Sequence, residues 1–433
     1  MAPTAPRRNA SDELDAHAPT LADELLIDPD PQGASAPPPH ALAHPVWIGL
    51  GLMAVAFNLR PALSSVAPLL PQIRVDTGLT ATLAGVLTTL PVLCLGVFGP
   101  LGPTMARRYG AETGVLVFLL VLAAGLALRG TGSVAALFAG TVLCGVGIGV
   151  IGVLVPGIVK RDFPHHPGLM TGLYTMLLCL GGALGAGATV PLQAITGPGW
   201  AAPLMLWCIP ALAAVAVWLP QVHVRAHRPA ATQAVDTRAL WRDPLAWAVT
   251  GFMGLQSSLA YIIFGWLPVA LQDRGLDAVD AGLLASGSVM AQGVTALVVP
   301  SLAARARDQR LWVAVVVIPS IVGFVGLLLG PIGLAWPFAI VLGLGGGGNF
   351  GIAITLIVLR SRDPQVAAHL SAMSQSVGYC LASLGPFAVG LAHGWTTGWG
   401  VATALYVAFG LATLACGVRA SRPEFVLERS RAR

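Results

Sequence analysis

Seven long stretches of this chain contain no Asp, Glu, Lys or Arg, and these gaps constrain the fold more than any motif. Residues 77–106, 130–159, 244–272 and 281–304 each match one membrane-crossing helix of about 20 residues plus its flanks. Residues 163–224, 311–359 and 364–418 are too long for one crossing and suit two apiece. Their middles carry the needed turns: Thr196-Gly197-Pro198-Gly199, Gly330-Pro331-Ile332-Gly333, and His393 to Trp399. Residues 46–69 and the shorter run 113–128 complete a set of twelve. A soluble fold is excluded, because 10% charged residues cannot cover the surface of a chain that is 55% apolar. The expected fold class is all-α integral membrane, with twelve transmembrane helices.

The basic residues set an orientation. With both termini cytoplasmic, 20 of the 24 fall in cytoplasmic segments, and only Arg74, Arg129 and Arg274 fall on the opposite face. Lys and Arg near span ends collect on the cytoplasmic side, so this is the expected topology. The remaining one, Arg60, lies inside a helix. Residues 1–44 are rich in Pro and Ala, carry seven acids against two arginines, and read as a disordered cytoplasmic tail. They lack a basic segment running directly into an apolar one, so no cleaved signal peptide is expected. Residues 45–220 then form a first six-helix half, 221–243 a cytoplasmic linker with four arginines, 244–418 a second half, and 419–433 a cytoplasmic tail. All six cysteines fall in apolar stretches and read as small fillers rather than disulfide or zinc partners.

The two halves repeat each other. At an offset of 197, Pro71 meets Pro268, Gly78-Leu79 meets Gly275-Leu276, Gly85 meets Gly282, Pro103 meets Pro300 and Arg108 meets Arg305. At 201, Gly145 and Gly147 meet Gly346 and Gly348, Arg161-Asp162 meets Arg362-Asp363, and Cys179-Leu180 meets Cys380-Leu381. Six helices followed by six of the same orientation are parallel repeats about an axis normal to the membrane. That is the plan of major facilitator transporters, whose substrate site lies between the halves near the midplane.

Three strings sharpen this reading: Asn58-Leu59-Arg60-Pro61 in helix 1, Trp266-Leu267-Pro268 in helix 7, and Leu370-Ser371-Ala372-Met373-Ser374-Gln375-Ser376-Val377-Gly378-Tyr379 in helix 11. Together they resemble the cyanate/nitroimidazole (CynX/NimT-like) branch of the major facilitator superfamily, from about residue 46 to 418. The helix 2–3 loop keeps Ala106-Arg107-Arg108-Tyr109-Gly110 of the superfamily's loop motif but has Pro103 where an acidic residue is usual. The resemblance implies a secondary transporter in a bacterial inner membrane, and a cyanate-like cargo.

Arg60 is the only charge deep in a span, roughly 21 Å along the helix from Val46 at about 1.5 Å per residue. An arginine at a helix centre costs about 2.5–3.5 kcal/mol on insertion scales, which favours a cavity-facing role over a snorkelling one. Guanidinium suits an anion, with five donors in a fixed fork and no accessible neutral form. Asn58 is about 200° away on a regular helix, but Pro61 can distort this turn, so Asn58 stays a candidate. Polar residues at similar depth elsewhere are Tyr174, Gln256, Ser257, Tyr261, Gln292, Asn349, Gln375 and Tyr379. Ser257 with Tyr261, and Gln375 with Tyr379, share helix faces at i,i+4. Ordinary interhelical hydrogen bonding is the alternative for each, and as a set they make a donor-rich pocket with aromatic walls.

The run Gly343-Leu344-Gly345-Gly346-Gly347-Gly348 lacks the Lys-Ser/Thr of a phosphate loop and reads as close helix packing. Trp47, Trp218, Trp247, Trp266 and Trp312 lie near span ends and read as interfacial belts. No Asp or Glu lies mid-span, so a carboxylate proton relay has no obvious carrier. No cofactor, metal or nucleic acid is expected. The expected partners are a small-molecule substrate and the lipid bilayer, for a monomer moving a small anion or small polar solute by alternating access. The alternative is an exporter of nitroimidazole-like or other small drug molecules. A membrane-embedded enzyme would need an interfacial His, Asp or Glu constellation, and none is visible.

Overall fold

Apolar chain inside a bilayer must satisfy every backbone group internally, and the long charge-free runs do so as helices. The computed structural model describes residues 45–163, 167–224, 237–362, 364–396 and 398–428. The expected tail 1–44, most of the linker and residues 429–433 lie outside them. The membrane helices are α1 (Val46–Thr77), α2 (Ala81–Phe98), α3 (Ala111–Arg129), α4 (Val134–Asp162), α5 (Pro167–Ala188) and α6 (Ala201–Val222) in the first half. The second half has α7 (Pro244–Asp273), α8 (Ala278–Arg305), α9 (Arg310–Leu329), α10 (Ala335–Leu359), α11 (Pro364–Trp395) and α12 (Gly400–Ala420). Eleven are long and apolar enough to cross a membrane, and Gly172–Ala188 of α5 is the shorter twelfth.

Packing repeats along with the sequence. In the first half α3 packs on α4, α2 on α4, α1 on α5 and α6, and α3 on α6. The second half has the matching pairs: α9 with α10, α8 with α10, α7 with α11 and α12, and α9 with α12. The halves meet along two main seams, α2 against α11 and α5 against α8. Exchanging the halves turns one seam into the other, as a pseudo-two-fold axis requires. The repeat-matched glycines Gly85 and Gly282 both sit on these seams. A Cβ on Gly85 would press on Gly390 of α11, and one on Gly282 would press on the Ala186 carbonyl of α5.

Four local features differ from the sequence expectation. The first span runs eight residues further, to Thr77, although Pro68 and Pro71 lie in its last segment. The helix 2–3 loop is itself largely helical: α2 ends at Gly99-Pro100, and Leu101–Tyr109 forms a separate short helix with Arg107 and Arg108 in its last turn. Trp218 and Trp266 are fully buried rather than interfacial. Each indole finds an acceptor inside the protein, the Glu112 carbonyl at 2.9 Å and the Pro386 carbonyl at 3.0 Å, so neither needs the lipid–water boundary. Lastly, the chain after α12 is packed: Val426 and Leu427 are buried, and the Leu427 amide donates to the Asp243 carboxylate at 2.6 Å.

At the arginine-rich end, the Arg161 guanidinium donates to Glu112 and to Asp162, tying the end of α4 to the start of α3. Hydrogen bonding to Asp162 and the Glu112 charge push the Arg161 pKa up, outweighing its partial burial. All six cysteines are free thiols, three of them buried.

Candidate functional site

Helix α1 is interrupted at its middle. Arg60 occupies a turn residue between Pro45–Leu59 and Pro61–Ser64, and Ser65 precedes the last segment, Val66–Thr77. Pro61 has no N–H to give to Phe57, four residues earlier, so the helical bond fails at this level. The broken turn rests on small residues of α5. Ser64 Oγ donates to the Gly182 carbonyl at 2.8 Å, and a Cβ on Gly181 would collide with the Phe57 carbonyl. Only glycine lets α5 come this close. The packing aims the Arg60 side chain across Gly182 toward the other half.

Arg60 is half-buried, and its Nη1 is buried with no hydrogen-bond partner. Its guanidinium carbon lies 4.9 Å from the ring centre of Phe264 on α7, within cation–π range. Three tyrosines from three helices interact electrostatically with it: Tyr174 of α5, Tyr261 of α7 and Tyr379 of α11. Tyr261 meets Tyr379 edge-on with ring centres 6.2 Å apart. Val289 of α8 packs with Phe264 and Cys179 beside Gly182. Among the described residues no carboxylate pairs with Arg60. A cation with aromatic walls and an idle donor therefore stands where the halves meet, and it suits an anion or a strongly dipolar solute.

The remaining sequence candidates take other positions. Asn58 turns to the far side of α1, where its amide donates to the Ala54 carbonyl at 2.8 Å and to the Pro210 carbonyl of α6 at 3.0 Å. Gln256 donates to its neighbour Ser257 at 2.8 Å and to the Met253 carbonyl at 3.1 Å, and both are buried. Gln375 donates to Ser371 at 2.9 Å along its own helix. Gln292 of α8 packs on Gly346 of α10, and its Nε2 is buried without a partner. Asn349, one turn beyond Gly346, has a buried unpartnered Oδ1. None of these hydrogen-bonds Arg60.

Two arginines expected at the opposite face are not surface groups. Arg129 is 0% exposed, and its Nη1 donates to the Ala62 carbonyl at 2.7 Å. In a helix the Cα–Cβ bond tilts toward the N-terminus, so the side chain of this last residue of α3 runs back into the protein. Arg74 is half-buried, and its Nη1 lies 3.4 Å from His393 Nε2 of α11. The third, Arg274, donates to the Leu327 carbonyl and, at 2.5 Å, to the Gly330 carbonyl, capping the end of α9. Phe264, which covers Arg60, was not a sequence candidate either. Its spacing of three from Tyr261 on one helix was the available signal. A groove of about 880 Å³ lies at the arginine-rich end among Trp241, Trp247, Arg242 and Arg419, away from the inter-half cleft.

The model of the Major Facilitator Superfamily matches residues 46–386. The chain belongs to this superfamily. Its members are transporters rather than enzymes, and the paired six-helix packing described above is theirs. A 2-nitroimidazole transporter of Escherichia coli is 40% identical over 81% of this chain and 89% of its own length. An uncharacterized transporter of Bacillus subtilis, YycB, is 38% identical over 89% and 96%. The E. coli cyanate transport protein CynX is 32% identical over 79% and 88%. In structure, the nucleoside transporter NupG superposes with a TM-score of 0.68 over 86% of this chain and 98% of that one, at 14% identity. That likeness concerns the fold alone. This major facilitator protein thus falls in the cyanate/nitroimidazole branch.

Proposed function

We propose that this transporter carries a small anion or small polar solute, cyanate-like in size and charge, by alternating access between its two halves. The observation that carries the reading is the mid-span Arg60, paired with no carboxylate among the described residues and holding a buried, unpartnered Nη1. Tyr174, Tyr261 and Tyr379 line its surroundings as hydroxyl donors, and Gln256, Ser257, Gln292, Asn349 and Gln375 supply further polar groups once the halves rock apart. Asn58 serves the packing of α1 on α6 instead. The protein sits in a bacterial inner membrane with the arginine-rich end cytoplasmic. With no mid-span carboxylate available, it works as a facilitator that needs no pH gradient.

A second reading is a nitroimidazole-like heterocycle as cargo, favoured by the aromatic pair Tyr261–Tyr379 and by the 40%-identical 2-nitroimidazole transporter. Counterflow in proteoliposomes separates the two. Vesicles preloaded with unlabelled cyanate accumulate labelled cyanate on the first reading, with and without a proton ionophore. Accumulation of 2-nitroimidazole but not of cyanate moves the cargo to the second reading, and loss of all counterflow with the ionophore ends the facilitator reading. Orientation is read by a thiol at position 197, reactive only from outside.

A further inference from the structure

Arg129 is fully buried, yet one hydrogen bond to the Ala62 carbonyl accounts for only one of its five N–H groups. Its Nε and Nη2 are buried and unpartnered, and no carboxylate pairs with it among the described residues. The side chain passes Gly140 of α4 and lines a small cavity of about 20 Å³, room for roughly one water. Ala62, Thr88, Thr141, Tyr261 and Phe264 line this cavity with it. Arg60 does not line it. Phe264 therefore stands between the two sites: its ring face covers Arg60, and it also walls the Arg129 cavity. Because Ala62 follows Arg60 along α1, the second cation lies further toward the arginine-poor end.

We propose that Arg129 is a second anion-binding station on the transport path, with Phe264 as the movable partition between it and Arg60. The inference rests on the reading of an anionic cargo at Arg60. A path with one deep cationic site holds its ion too well to release it, whereas two successive sites let binding be shared and handed on. The ligand class is a monovalent anion of a few heavy atoms, accepting from the Nε–Nη2 edge of the guanidinium. A cavity the size of one water admits it only when the Phe264 ring swings aside.

The test uses the full-length protein in proteoliposomes, with its six cysteines replaced by alanine and Thr88→Cys placed in the cavity wall. Modification rates are compared for the anionic sulfonatoethyl and the cationic aminoethyl methanethiosulfonates, and cyanate uptake and cyanate-induced thermal shift are measured on parallel samples. The anionic reagent is expected to react at least tenfold faster. Arg129→Gln should erase that preference and lower uptake at least tenfold while the thermal shift persists, and Arg129→Lys should keep the preference. Equal rates for the two reagents, no reaction with either, or a preference unchanged in Arg129→Gln would overturn the station. So would a fall in uptake matched by loss of the thermal shift and of melting temperature, which is what a purely structural brace gives. If the glutamine variant does not fold, the reagent preference of Thr88→Cys is read in an Arg60→Ala background, where Arg129 is the one charged side chain left to cause it, because no other charge lines that cavity. Preference without cyanate uptake or thermal shift keeps the station and removes cyanate as cargo. Uptake without preference keeps the cargo and removes the station.

Discussion

Arg74 and His393 stand 3.4 Å apart, Nη1 to Nε2, and the contact joins α1 of the first half to α11 of the second. Arginine only donates, so His393 Nε2 accepts and the imidazole is neutral with its proton on Nδ1. The Asp273 carboxylate of α7 lies 3.8 Å from the same nitrogen and accepts from the Trp399 indole at 3.1 Å. The His393 ring stacks on Trp399 at 4.7 Å. Arg74 is the first half's contribution to this cluster, so its hydrogen bond is an inter-half latch at the arginine-poor end.

Protonating His393 removes the acceptor and sets two cations side by side. The ion pair it gains, with Asp273, lies within the second half and does not bridge the cleft. The latch is therefore present while the imidazole is neutral and lost once it is protonated. Labelling of a thiol at the buried position 269 should speed up severalfold once acidification protonates His393. Arg74→Ala should show the fast rate already at pH 7.5, with little further change on acidification. A rate that ignores both treatments means that this contact does not hold the cleft shut.

The glycines of α10 are a contact surface. A Cβ on Gly347 would run into the Gln292 carbonyl of α8, and one on Gly343 into the Ser288 carbonyl. Overpacking of this kind costs about 1–3 kcal/mol, so Gly347→Ala should lower the melting temperature in detergent by several degrees. Gly152→Ala, with open space around its Cβ position, should melt like the parent.

Asn58→Ala should behave as a packing variant. It removes two hydrogen bonds to carbonyls of α1 and α6, each worth about 1 kcal/mol net. Melting temperature should fall while cyanate uptake per folded molecule stays within twofold. Reduced uptake at unchanged stability would return Asn58 to the substrate site.

The spans were legible because a bilayer reduces folding to apolar length and charge placement, and Arg60 stood out as the only charge too deep to reach an end. The angular separation of Asn58 from Arg60 also survives: one faces α6 and the other the cleft, as about 200° of helix demands. The burial of Arg129 and the inward turn of Arg74 are not legible from residue position, which says nothing about side-chain direction. Arg129 ends its helix and points backward, so the tilt of the Cα–Cβ bond was the usable clue. Burial of Trp266 has no such clue, since its acceptor is a carbonyl of α11, 120 residues away.

Arg60 gives the most decisive variant series. The two halves do not match here: the repeat places Ser257 opposite, and Ser257 is occupied by the Gln256 amide. Among the described residues no second charge stands at the same level to take over, and Arg129 lines a separate small cavity walled by Phe264. Arg60→Ala should therefore abolish saturable uptake, while a helix relieved of a mid-span charge inserts at least as well. Arg60→Lys keeps the charge but loses the planar fork that can grip an anion with two parallel bonds, so uptake should fall less than with alanine. Phe264→Leu removes the ring face over the cation, a contact worth about 0.5–2 kcal/mol, and should weaken Arg60 positioning without abolishing transport. All three are compared by initial uptake rates at equal folded protein in proteoliposomes. Saturable uptake at the parent rate by a correctly inserted Arg60→Ala protein would make Arg60 a structural arginine and move the binding site away from the break in α1.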